Sequence, residues 1–424
     1  MIDYESALSP RVKGIAPSGI RKFFDLLENM DSSDAISLGV GEPDFVTPWH
    51  IRDAGVYALE KGFTKYTSNA GLADLRREIS KYMLRRFSLQ YDPMKQMIVT
   101  VGGSEGIDIA VRAIVSEGDE VIVPVPSFVC YGPIVQLAGG VPVFVETKAE
   151  NEFRLTAEEL RAAITPRTKL LILPFPNNPT GAILERADLE ALAEVLRDTN
   201  IMVLSDEIYA ELTYGGHHVS IAGIPGMYDR TLVVNGFSKS YAMTGWRLGF
   251  VCGPQPVIRQ MLKIHQYAIM CAPTTSQYAA VEAMRDGDGD IAMMCRDYDY
   301  RRRFLLDKLR GAGLECFEPR GAFYMFPCIK STGMTSAEFC SRFLLEEHVA
   351  AIPGDAFGAG GEGFVRMCYA SSLANLAEAM ERLERFLNKI ENGKLSYRRI
   401  PAFCDIACLW GLPHCTRQQS LKNR

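Results

Sequence analysis

The chain has 424 residues, 47% of them hydrophobic and 23% charged, with a net charge of -5 and eleven cysteines. That length exceeds the roughly 250–300 residues at which a single core stops growing, so two domains are expected. The mildly acidic balance argues against nucleic acid as a partner, and no apolar run reaches the 18 or so residues of a membrane span. The opening "MIDYESALSPRVKG" carries acids where a signal peptide carries bases, which predicts a cytoplasmic protein. The cysteines lack paired spacing and read as buried thiols in a reducing compartment.

Residues 1–40 are too few for a domain of their own and read as an arm that joins the smaller domain. Residues 41–278 read as the larger one. Between Met97 and Gly253 the β-rich runs "MIVTVG", "DEVIVPV", "VPVFVE", "KLLILP", "IMVLSD", "TLVVNG" and "LGFVCG" alternate with amphipathic stretches, the pattern of an α/β sheet between helices. Most of these runs are continuously apolar, as strands covered on both faces require. Residues 279–392 turn helical in "RRRFLLDKLR" and "LANLAEAMERLERFLNKI", broken by the strand-like "GAFYMFP" and "GFVRMCYA", which predicts a smaller α+β domain. Residues 393–424 are a basic tail without helical periodicity, read as disordered or loosely docked. Its Cys404, Cys408, His414 and Cys415 fit no common zinc spacing, so no metal is expected.

Ligands of open α/β sheets lie at the carboxyl ends of the strands, so the residues just past each run carry the most information. "MIVTVG" leads into "GGSEG", Gly102 to Gly106, and then the helical "IDIAVRAIV". Glycines let backbone N–H groups crowd a phosphate, and a helix N-terminus adds partial positive charge, though any strand-to-helix turn may be built this way. Arg247 adds a planar fork suited to phosphate. "PSFVCY" offers Phe128 as an aromatic face or a core residue. "FPNNPTG" places Asn178 among turn formers. "IMVLSD" ends on Asp206 with Tyr209 beyond it, and a helix N-cap is the ordinary alternative. Lys239 follows "TLVV" in "NGFSKSYAMTGWRLGF". A phosphate cradle, an aromatic plate, an acid, an amide with a phenol and a lysine together are what pyridoxal 5'-phosphate needs.

"NPTG", "SDEIY", "SKSYAMTGWRLGF", "ISLGVGEPDF" and "GFVRMCYA" closely resemble the motifs of class I/II aminotransferases, which are fold type I pyridoxal phosphate enzymes. The resemblance runs from about Ser9 to Lys389 in the family's order and spacing. It implies a seven-stranded, mostly parallel sheet between helices, a smaller domain that closes over substrate, and a homodimer with shared active sites. It implies Lys239 as the catalytic Schiff-base lysine and Asp206 as partner of the pyridine nitrogen. Asn178 and Tyr209 would hold the phenolate oxygen, and Phe128 would stack on the ring. Gly103, Ser104 and Arg247 would hold the phosphate, with Tyr66 arriving from the other subunit. Gly41, Asn178 and Arg366 would bind the substrate's carboxylate. The implied reaction is a ping-pong transfer of the amino group of an aromatic, aspartate or other L-amino acid to a 2-oxo acid such as 2-oxoglutarate.

Where many members carry a phosphate-binding hydroxyl three residues before the lysine, this chain has Gly236, and Ser238 is the candidate substitute. No equivalent of a second, side-chain-reading arginine is recognisable. Phe323 and Tyr324, with Ile20, suggest an apolar side-chain pocket, with packing at a domain seam as the alternative. A carbon–sulfur β-lyase would share every cofactor contact, so the fold does not separate the two reactions. A cofactor-binding sensor is the other alternative.

Overall fold

The structure, a computed structural model, describes residues 2–17, 19 and 34–391. The tail and Ile20 lie outside the described residues. All seven apolar runs are strands: β2 (Met97–Thr100), β3 (Glu120–Val125), β4 (Val141–Glu146), β5 (Thr168–Leu173), β6 (Met202–Asp206), β7 (Thr231–Gly236) and β8 (Gly249–Cys252). They form one sheet in the order β2-β8-β7-β6-β5-β3-β4. Strand β8 runs antiparallel to both its neighbours, and every other pairing is parallel.

Alternate side chains of each strand enter different cores, because Cβ directions alternate along a strand. Leu170, Ile172, Leu204 and Val234 pack with Ile107, Val111, Val135, Ile258 and Met261 of the helices Gly102–Ile114, Tyr131–Leu137 and Gln255–Ala268. On the opposite face, Leu171, Leu173 and Val203 pack with Leu160, Leu189, Leu192 and Leu196 of the helices Ala157–Ala163 and Arg186–Leu196. Val99, Val233 and Phe250 of that face pack with the helices Trp49–Glu60, Ala73–Phe87 and Thr274–Asp286. β4 closes the sheet at an edge and is correspondingly more exposed than the wholly buried β3 beside it.

A further core joins the helices Asp288–Gly311, Ser336–Glu347 and Leu373–Glu391 to short strands. These are the antiparallel set β11 (Ile352–Pro353), β12 (Val365–Cys368) and β9 (Tyr324–Met325), and the parallel pair β1 (Ile36–Ser37) and β10 (Val349–Ala350). Ile36 and Leu38 are buried in this core. The passage between the two lobes falls later than residue 279. Ala279, Ala280, Ala283 and Met284 pack under the large sheet, as does Ile291, whereas Met294 and Tyr298 belong to the smaller core. One helix of 24 residues, about 36 Å long, serves both lobes, so composition shows no break at the crossing. Among the described residues no helix is long and apolar enough to cross a membrane.

Candidate active site

A cavity of about 400 Å³ opens at the carboxyl edge of the sheet, and every residue expected to hold the cofactor or the substrate's carboxylate lines it except Tyr66. Tyr66 is 80% exposed and lies away from it. Strands β2, β3, β5, β6 and β7 end at this edge. The reversed β8 begins there, which brings Arg247, two residues before it, to the same place.

The phosphate side is built from close-packed backbone. Gly102 has φ +73°, and a Cβ there would lie 2.7 Å from Nη2 of Arg247. Gly236 pairs with Gly249 across β7 and β8. A Cβ on Gly236 would lie 3.0 Å from the Gly249 Cα, and one on Gly249 would lie 2.7 Å from the Gly103 nitrogen. The glycine at 236 thus has a packing reason: a hydroxyl-bearing residue there would push β8 off the start of the helix Gly102–Ile114. Ser238 is buried, and it lines the cavity together with Ser104 and Thr244.

Asp206 is the last residue of β6, and a turn follows it rather than a helix, so it caps no helix. Its Oδ2 accepts a 2.7 Å bond from the Tyr131 hydroxyl and its Oδ1 a 3.3 Å bond from the Ile208 amide. Burial pushes the Asp206 carboxyl up to about 6, against the lowering effect of the Tyr131 bond. Tyr131 was not singled out in the sequence. Its only signal is its place in "PSFVCY", three positions after Phe128, and only the fold turns both toward one cavity.

The Lys239 amine donates to the Gly41 carbonyl at 2.6 Å. Burial brings its pKa down to about 8, with Arg366 and Arg247 acting in the same direction and Cys368 and Glu42 opposing. The hydroxyls of Tyr209 and Tyr324 are 2.8 Å apart. Arg366, in β12, is 3% exposed. Its guanidinium carbon lies 4.6 Å from the Tyr324 ring centroid and 4.8 Å from that of Phe357. Nη1 donates to Oδ1 of Asn178 at 2.9 Å and Nη2 to the Gly39 carbonyl at 2.5 Å, while the buried Nε has no partner among the described residues. Phe323 does not line the cavity. It is fully buried, edge-on to Tyr209 and Tyr324, so of the two aromatics proposed for a side-chain pocket only Tyr324 faces the cavity.

These groups fit pyridoxal phosphate: a cradle that a Cβ would fill, a buried carboxylate at a strand end, an amine near neutrality, and an orphaned guanidinium N–H for a carboxylate. A seven-stranded sheet of this order with those groups at its edge defines a fold type I pyridoxal phosphate enzyme. The sequence pattern described as aminotransferase class I and II matches residues 33–383. The Bacillus subtilis protein YugH, which carries the name of an aminotransferase, is 51% identical over 91% of this chain and 99% of its own. An aspartate aminotransferase of Pyrococcus abyssi is 45% identical over 90% and 99%. The crystal structure of an aromatic aminotransferase from Pyrococcus horikoshii superposes with a TM-score of 0.83 at 43% identity, covering 88% of this chain and 99% of that one. The chain belongs to the class I and II aminotransferases and is a pyridoxal phosphate-dependent transaminase.

Proposed function

We propose that this enzyme moves the amino group of an aromatic or acidic L-amino acid to a 2-oxo acid such as 2-oxoglutarate, in two half-reactions at the cavity around Lys239. The observation that carries this reading is the convergence of Lys239, Asp206 and Arg366 on one cavity from β7, β6 and β12. Pyridoxal phosphate supplies an aldehyde that captures amino groups and a cationic ring that accepts the electrons left when a Cα–H bond breaks. Asp206 holds the proton on the ring nitrogen, and its burial without a cationic partner makes that pairing favourable. Phe128 covers the ring face. Gly103, Ser104 and Arg247 bind the phosphate, and Asn178 and Tyr209 hold the ring oxygen. Arg366, steadied by Asn178, grips the substrate's carboxylate beside Gly41. Lys239 anchors the cofactor. When freed it would serve as the base for the substrate's Cα proton, a task that needs its amine neutral and is helped by a pKa near 8.

The working unit in this reading is a homodimer in the cytoplasm, acting in amino acid metabolism. Trp49, Tyr57, Leu59, Tyr66, Tyr267 and Met270 are exposed. Bonds from Asn69 to the Met270 carbonyl, 2.7 Å, and from Thr274 to the Lys65 carbonyl, 2.8 Å, bring the segments carrying Tyr66, Tyr267 and Met270 together. A second copy seated on this face would cover it and carry Tyr66 to the neighbouring phosphate site. The test is a spectroscopic half-reaction: the yellow holoenzyme is mixed with single amino acids, and those that bleach it identify the donors. Bleaching by none of them, or release of pyruvate and ammonia from cystathionine without an acceptor, would refute amino transfer as the main reaction and point to the lyase.

A further inference from the structure

We infer that Tyr324 is a positioning residue that sets the donor direction of Tyr209 through its hydroxyl and the plane of Arg366 through its ring. This rests on the proposed roles of Tyr209 and Arg366. Tyr324 projects from β9 of the smaller lobe, and Tyr209 follows β6 of the larger sheet, so their 2.8 Å bond spans the cavity between lobes. Both phenols are buried, and burial drives both pKa values upward, so each oxygen keeps its proton. Two neutral hydroxyls can share one bond in either direction. If Tyr209 donates to Tyr324, it has no proton left for an oxygen anion in the cavity. If Tyr324 donates, the Tyr209 proton is free to point there, and a donor into Tyr209 polarises its O–H further.

An oxygen anion in the cavity favours the second arrangement, because it draws the Tyr209 proton and leaves Tyr324 as the donor. The Tyr324 hydroxyl packs so closely on Gly41 that a Cβ there would come within 2.4 Å of it, so that side is closed. The same ring lies 4.6 Å from the Arg366 guanidinium carbon, with Phe357 at 4.8 Å. One side chain therefore links the group proposed to hold the ring oxygen to the group proposed to grip the carboxylate.

The hydroxyl and the ring are separable. Tyr324→Phe keeps the aromatic face and removes the donor, whereas Tyr324→Leu removes both. The first readout is the pH midpoint of the holoenzyme's absorbance change, measured without substrate. A hydrogen bond to the ring oxygen favours the deprotonated form of the lysine-bound cofactor, so weakening it moves the midpoint upward. Strengthening of a charged hydrogen bond by 10–30% through a chained donor corresponds to a shift of about 0.1–0.7 unit in Tyr324→Phe. The shift should vanish when Tyr324→Phe is made on a Tyr209→Phe background, since nothing remains to be oriented. The second readout is the amino donor's affinity in the half-reaction, expected about 2- to 30-fold weaker in Tyr324→Leu than in Tyr324→Phe for the lost cation–π face. A midpoint that moves in Tyr209→Phe but not in Tyr324→Phe overturns the hydroxyl's role alone. An equal shift of Tyr324→Phe on both backgrounds does the same, and equal donor affinity in the Phe and Leu variants overturns the ring's role. No movement in Tyr209→Phe removes Tyr209 from the cofactor site, and this inference with it.

Discussion

Replacing Arg366 by lysine separates the geometry of carboxylate binding from its charge. The guanidinium lies between Tyr324 and Phe357, at 4.6 and 4.8 Å from the ring centroids, and its two terminal nitrogens reach acceptors on different segments, Asn178 and Gly39. A lysine retains the positive charge but ends in a single ammonium, so it cannot reach both acceptors and also present two parallel donors to a substrate. Loss of one charged hydrogen bond costs about 1.5–3 kcal/mol. For a substrate carboxylate that is roughly a 10- to 150-fold fall in kcat/KM. The folded state also loses a donor to a buried carbonyl, about 1–3 kcal/mol, so Tm falls as well and kinetics must be measured well below it. The assay is kcat/KM for one good amino donor alongside cofactor affinity and the resting absorbance spectrum. Cofactor affinity should hold, because Arg366 is not proposed to touch the phosphate. A kcat/KM within twofold of the parent enzyme would refute the reasoning, and a parallel loss of cofactor affinity would place this arginine elsewhere in the site.

Asp206→Asn should flatten part of the apoenzyme's stability-versus-pH profile. The folded carboxyl titrates near 6 rather than at its ordinary 3.8, so between these values the folded state holds the extra proton and stability falls as pH rises, by about 3 kcal/mol in all. Denaturant titrations of both proteins from pH 4 to 7 check this, and parallel profiles would contradict it. Gly236→Ser, which restores a hydroxyl found in many relatives, should destabilise by about 1–3 kcal/mol, because its Cβ meets backbone at 3.0–3.1 Å; an unchanged Tm with tighter cofactor binding would show that β8 can yield. Tyr66→Phe should weaken cofactor binding by about 0.5–3 kcal/mol if the tyrosine reaches the neighbouring subunit's phosphate, which equilibrium titration of the apoenzyme measures; unchanged affinity, or full activity as a dilute monomer, would count against the shared site.

The sequence by itself determined the seven strands and the burial of all but the edge strand β4, since continuous apolar runs such as "TLVVNG" are satisfied between two helical layers. It also singled out the polar residues that close those runs, which the fold brings to one cavity. The reversed direction of β8 was not legible, since a strand's direction depends on its hydrogen-bonded neighbours, and that reversal is what sets Arg247 beside Gly102. The reason for Gly236 was equally hidden, as it lies in the backbone of Gly249 and Gly103. Phe323 and Tyr324 are adjacent in sequence and share one core, and the turn into β9 leaves only Tyr324 lining the cavity. Tyr131 and Tyr324 join Asp206 and Tyr209 across 75 and 115 residues of chain. Local patterns carry propensity and burial, but a hydrogen bond between distant segments exists only once those segments have packed and turned both partners inward.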